Sequence, residues 1–258
     1  MENLKIVGVI GGVGPYAGLD FVKKIFASTR AVTDQEHLDC MLVSCSSIVG
    51  DRTAFLLQGK SEEENPAFGM FESARRLHMA GVRIASVACN TAHAGRIFGP
   101  FSAKIKESLP GFEIVNMLES SALFVKETLR INKLGLLATI GTHKSRVYHE
   151  YYKEADGLHL IEPDEQGQEK VHDAIYNTEY GIKGTSDQVS ARAKEQIRAV
   201  INKLIDQGAE GIILGCTELP LAVGPADVSV PVVDPALAAA RRLITMTAPE
   251  KLLPYQGR

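Results

Sequence analysis

Short apolar runs recur along the chain, separated by longer stretches in which apolar positions return every three or four residues. The runs are KIVGVIGG (5–12), CMLVSCS (40–46), RIASVAC (83–89), EIVNM (113–117), KLGLLAT (133–139), HLIEP (159–163), GIILGC (211–216) and VPVVD (230–234). Bounded by glycine and proline, they suit strands buried in a parallel sheet. Segments 17–29, 62–80, 117–129, 145–155, 187–207 and 235–246 carry the helical spacing. Strand then helix, repeated, is the pattern of an α/β fold.

The pattern also repeats itself at one offset. Gly81–Cys89 (GVRIASVAC) resembles Gly208–Cys216 (GAEGIILGC), and 208 − 81 = 216 − 89 = 127. Gly8 and Gly135 differ by the same 127, as do Gly14 and Gly141. Small residues often coincide, so one match is weak. Together they predict two similar lobes, each a parallel sheet flanked by helices. Each lobe then carries a cysteine just after a strand, the end at which open α/β sheets place ligands. If the lobes face each other, Cys89 and Cys216 converge on one cleft from opposite sides.

Composition narrows the function. The chain has 258 residues, 45% apolar and 23% charged, enough to bury a core without a disulfide or metal staple. A net charge of −3 with no basic stripe points away from nucleic acid. The opening MENLKIVGVIGGVGP is too short and too glycine-broken to read as a signal peptide. No segment approaches the roughly 20 apolar residues that span a bilayer, so a cytoplasmic protein away from membranes is expected. The cysteines are Cys40, Cys45, Cys89 and Cys216. No C-x-x-C pair is present, and an odd step of five puts Cys40 and Cys45 on opposite faces of a strand. No metal site is expected.

Polar residues surround two of the cysteines. Cys89 opens Cys-Asn-Thr-Ala-His (89–93) and Cys216 opens Cys-Thr-Glu-Leu-Pro (216–220). Asn90, Thr91 and Thr217 could bind a substrate carboxylate or ammonium, or simply cap helices. A helix start at either cysteine would favour an anion and a thiolate. The plainer reading of each cysteine is a small buried hydrophobe. His93 and Glu218 could assist deprotonation, although a supporting or capping role is the plainer reading of His93. Gly11-Gly12-Val13-Gly14-Pro15 is neither G-x-G-x-x-G nor a P-loop. A turn with bare backbone N–H groups suits a small carboxylate better. Its counterpart, Ala138-Thr139-Ile140-Gly141-Thr142, offers the hydroxyls of Thr139 and Thr142. No Schiff-base lysine with a phosphate cup is evident, so no cofactor is expected.

These motifs, in this order and over nearly the whole chain, resemble the aspartate racemase branch of the aspartate/glutamate racemase superfamily. Glutamate racemases are similar but usually carry C-T-H at the second cysteine and S-G-x-G-G at the first turn. The resemblance implies that Cys89 and Cys216 are the two catalytic bases. One removes the α-proton and the other returns a proton to the opposite face, without cofactor. It implies a substrate pocket of Gly12, Asn90, Thr91, Thr139, Thr142, Thr217 and Glu218. Arg52, in Asp51-Arg52-Thr53, would bind one carboxylate, and Lys183, in Gly181-Ile-Lys183-Gly184, the second. Both read otherwise as solvated surface cations. It further implies a homodimer and a final segment that rejoins the first lobe. The expected limits are thus 1–116 plus 223–258, and 117–222, with the active site between the lobes.

Three departures fall near the pocket. Val13 stands where the family commonly has Met, Ala88 where it has Pro, and Ser44–Gly50 replaces its Asn-Pro segment. Aspartate, glutamate and other amino acids stay open as substrates. The alternatives are another superfamily enzyme on a small carboxylic acid (a hydantoin racemase, a decarboxylase or a cis–trans isomerase) and a non-catalytic small-molecule binding protein.

Overall fold

The computed structural model describes residues 6–185 and 188–256. Each of the eight apolar runs contains a strand: β1 Val7–Ile10, β2 Cys40–Val43, β3 Ile84–Val87, β4 Glu113–Val115, β5 Lys133–Leu137, β6 His159–Ile161, β7 Gly211–Leu214 and β8 Val232–Val233. They form two four-stranded sheets in the orders β2-β1-β3-β4 and β6-β5-β7-β8. All pairings within the sheets are parallel. The expected α/β class holds, with the same strand order in both sheets.

The helices are α1 Pro15–Ala27, α2 Arg52–Leu57, α3 Pro66–Met79, α4 Gly95–Ser108, α5 Met117–Phe124, α6 Ile140–Ser145, α7 Val147–Tyr151, α8 Glu165–Tyr176, α9 Ile182–Thr185, α10 Ala191–Asp206 and α11 Pro235–Thr247. Two compact units result. One runs to Ser120 and takes in Ala236–Tyr255; the other is Ser121–Pro235. The sequence reading put everything from residue 223 with the first lobe. Instead β8 pairs with β7 through Ile212↔Val232 and Ile213↔Val233, so the last strand stays in the second sheet. The chain joins the first unit only from Ala236.

Several helices fall outside the predicted segments, and the two long ones among them are α4 and α8. In α4, Gly99 and Pro100 sit mid-helix, a pair that reads as a break. Proline has no N–H for the carbonyl four residues back. That carbonyl, on Arg96, accepts from Asn65 Nδ2 at 3.0 Å instead. In α8 the buried face is only Gly167, Val171, Ala174 and Ile175, set in a polar stretch, and the Asp164 carboxylate caps the helix. Of the segment 145–155 only Ser145, the end of α6, and Val147–Tyr151, α7, are α-helix, and Arg146 between the two is left-handed at φ 52°.

The offset of 127 extends into the packing. A Cβ on Gly8 would lie 2.9 Å from Ala85 Cβ and 3.1 Å from Leu77 Cδ1. A Cβ on Gly135 would lie 2.8 Å from Ile212 Cδ1 and 3.1 Å from Leu204 Cβ. Here 212 − 85 = 204 − 77 = 127. In both units, then, a glycine in the leading strand lets the third strand and the preceding helix close on it. Both helices end alike: the N–H of Val82 bonds the Leu77 carbonyl, and that of Ala209 the Leu204 carbonyl, each at 3.0 Å.

Candidate active site

In the first unit the chemistry collects where β1, β2 and β3 end. The glycine turn leaves β1 and enters α1 through Gly14 and Pro15. Gly12 has φ 74°, and a Cβ there would stand 2.6 Å from the Cys45 backbone nitrogen, so only glycine fits. Arg52 opens α2. Its Nη2 donates to the Val13 carbonyl at 2.8 Å and its Nη1 to the Gly50 carbonyl at 3.0 Å. The guanidinium thereby ties the Asp51-Arg52-Thr53 segment to the glycine turn.

Cys89 lies two residues past β3 and is 7% exposed, with Asn90 and Thr91 buried beside it. Thr91–His93 make one 3-10 turn, and α4 begins only at Gly95. No α-helix starts at Cys89, which corrects the expected helix-start contribution to its thiol. His93 is fully buried and stacked on Phe98. Its Nδ1 lies 2.9 Å from the Cys89 carbonyl, and its Nε2 accepts from the Met117 N–H at 3.2 Å. An acceptor on Nε2 leaves the proton on Nδ1, as donor to that carbonyl. Burial pulls the imidazole down to about 4, against the two carbonyls of Cys89 and Asn90 that favour its charge. His93 is therefore neutral, braces the loop, and turns neither nitrogen to the Cys89 sulfur.

In the second unit the corresponding places are the ends of β5 and β7. Thr139 caps α6: its hydroxyl accepts from the Thr142 N–H at 3.3 Å and lies 3.1 Å from the Thr142 hydroxyl. Both threonines are buried. Cys216, two residues past β7, is half-buried. Its carbonyl accepts from Leu219 at the start of a 3-10 turn, Leu219–Leu221, so no α-helix starts here either. Thr217 and Glu218 are buried next to it. Lys183, on α9, donates from Nζ to Glu218 Oε1 at 2.7 Å. It is therefore no surface cation, and its carboxylate partner lies within its own unit.

Sequence reasoning missed that pairing, because the partners are 35 residues apart. It also missed the contact of His143 Nδ1 with Glu162 Oε1 at 2.7 Å, beside the threonine turn. At Cys45, Arg76 Nη1 reaches the sulfur at 3.0 Å. Burial pushes the Cys40 thiol up to about 11. Neither cysteine is in a disulfide, and no metal-holding cluster occurs among the described residues.

The fold agrees with what the chain is similar to. The family model for Asp/Glu/Hydantoin racemases matches residues 10–243, and the chain belongs to this racemase (isomerase) family. The aspartate racemase of Picrophilus torridus superposes with a TM-score of 0.80 at 28% identity, covering 97% of this chain and 96% of that one. An aspartate racemase homologue from Pyrococcus horikoshii OT3 gives 0.70 at 25% identity, covering 95% and 99%. A glutamate racemase from Roseiflexus sp. is 28% identical over 144 residues, 55% of this chain. The match spans 47% of that relative, and 59% of the glutamate racemase of Levilactobacillus brevis.

Proposed function

We propose that the protein racemises an amino acid, aspartate or glutamate before others, without cofactor and with two cysteines as bases. The observation that carries this reading is the matched placement of Cys89 and Cys216. Each lies two residues past the third strand of a sheet with the same strand order, in segments that share the offset of 127. Racemisation needs a base and an acid on opposite faces of one carbon, and a duplicated unit supplies one such group twice. One sulfur takes the α-proton as a thiolate. The other, as a thiol, gives a proton to the opposite face of the planar carbanion. Each turnover leaves the two protonation states exchanged.

The carbanion is the obstacle, since an α-hydrogen is far less acidic than a thiol near 8.5. Donors at the α-carboxylate lower that barrier by taking up charge as it forms. Gly12, Asn90 and Thr91 of the first unit, and Thr139, Thr142 and Thr217 of the second, are the donors assigned here. Arg52 holds the glycine turn of the first unit in shape.

A chiral assay without added cofactor, run in deuterated water, tests the reading. The product enantiomer should carry solvent deuterium at the α-carbon. Cys89→Ser and Cys216→Ser should each cut turnover by about a thousandfold or more while the fold persists. Full turnover in either variant, or product with no deuterium, would remove the two-base scheme.

A further inference from the structure

Cys89 and Cys216 hold matched positions, but their neighbours differ in charge. Beside Cys89 stands the neutral His93, with both nitrogens facing backbone. Beside Cys216 stands an ammonium. Glu218, two residues past the sulfur and 5% exposed, accepts from Lys183 Nζ at 2.7 Å. On the other side α8 sets the Tyr176 ring 5.5 Å from the same Nζ, with His172 stacked on that ring. The lysine is thus fixed from two sides at the Cys216 turn.

Burial alone would pull the Lys183 ammonium below the ordinary lysine value. The attraction of a Cys216 thiolate, the charge of Glu218 and the hydrogen bond to it more than offset this and hold it above that value. Attraction between two charges is mutual, so an ammonium that gains from a negative sulfur favours that sulfur as the thiolate. Glu218 acts on the sulfur with the opposite sign, as a like charge. Its service is to anchor the lysine.

We propose that Lys183 is a positioning residue for Cys216: anchored by Glu218, it holds that sulfur as the resting thiolate, so that Cys216 is the base and Cys89 the acid before substrate arrives. The inference rests on the racemase reading for its catalytic meaning, but the charge assignment stands apart from it. It makes the enzyme polar at rest. The enantiomer whose α-hydrogen faces Cys216 meets a ready base, and the other must wait for a proton to move.

The test is the pH dependence of iodoacetamide alkylation in the whole protein, with Cys89 and Cys216 followed separately by mass spectrometry. A range from about pH 6 to about pH 10 brackets the ordinary thiol value of about 8.5. The Cys216 midpoint should lie below that of Cys89. Lys183→Gln should raise the Cys216 midpoint by about one pH unit or more and leave Cys89 in place. Lys183→Arg should keep it low. A Cys216 midpoint unmoved by Lys183→Gln, or both cysteines moving together, overturns the proposal. Should Lys183→Gln not fold, the parent protein decides: a Cys216 midpoint at or above that of Cys89 overturns the proposal. Racemisation with an unmoved midpoint refutes the charge assignment alone. A shifted midpoint in a protein that racemises no amino acid refutes the racemase reading alone.

Discussion

His93 shows how one residue can read as chemistry in a sequence and prove to be framework. Four residues past Cys89, it invites a proton relay, yet its hydrogen bonds to the Cys89 carbonyl and the Met117 N–H use both nitrogens. That use has a thermodynamic consequence. Its folded value is about 4, against 6.5 for the unperturbed side chain. Above about pH 6.5 neither folded nor unfolded chain protonates this ring. As the pH falls from there toward 4, the unfolded chain takes a proton that the folded chain refuses. Stability then falls with falling pH, by up to about 1.4 kcal/mol per pH unit from this one group. His93→Gln should be less stable at neutral pH yet show a shallower loss on acidification. Urea unfolding at about pH 7 and about pH 5 measures both, bracketing the ordinary histidine value. An acid slope unchanged from the parent would show that His93 titrates freely when folded. Lys183 is the opposite case: its polar neighbours looked like solvent in the sequence, and its partner was out of view because α9 is four residues long and shows no periodicity.

At the scale of elements, strands were far more legible than helices. Every apolar run became a strand, since buried parallel strands need continuous apolar sequence and little else does at that length. Helices were legible where a long face is apolar. In α10, Ala193, Ile197, Val200, Ile201 and Leu204 are buried on one side. They were not legible where a tertiary partner repairs a local defect, as Asn65 does for the Pro100 gap in α4. The repeated glycines were visible as letters, but their purpose is visible only in packing. Gly8 and Gly135 are equivalent, yet they should not tolerate alanine equally. At Gly8 the new methyl meets Ala85 Cβ at 2.9 Å, an atom fixed to its backbone. At Gly135 the shortest contact, 2.8 Å, is to Ile212 Cδ1, the end of a side chain that can change rotamer. Gly8→Ala should therefore cost about 2–3 kcal/mol, the range for overpacking a tight core, and Gly135→Ala about half that. Thermal or denaturant unfolding of the two variants ranks them, and the reverse order would show that the units relax differently.

At the scale of the whole molecule, duplication supplies two groups of one kind, and the charges around them decide how alike they stay. Both units share strand order, the helix-closing glycine and a cysteine past the third strand. They diverge at the first turn, where one offers bare backbone around Gly12 and the other the paired hydroxyls of Thr139 and Thr142. Among the described residues no helix is long and apolar enough to cross a membrane. If each unit serves one face of the substrate carbon, losing one cysteine should not silence the other. Cys89→Ser keeps the base assigned to Cys216, which can still remove the α-hydrogen of one enantiomer and return deuterium from solvent to the same face. That enantiomer should exchange its α-hydrogen in deuterated water without inverting, and its mirror image should not. Cys216→Ser should show the reverse preference, more slowly, because Cys89 has no Lys183 to favour its thiolate. Proton magnetic resonance of each pure enantiomer with each variant reads this directly. Exchange of the same enantiomer by both variants would mean that the two cysteines act on one face, and the duplicated fold would then need another explanation for its second sulfur.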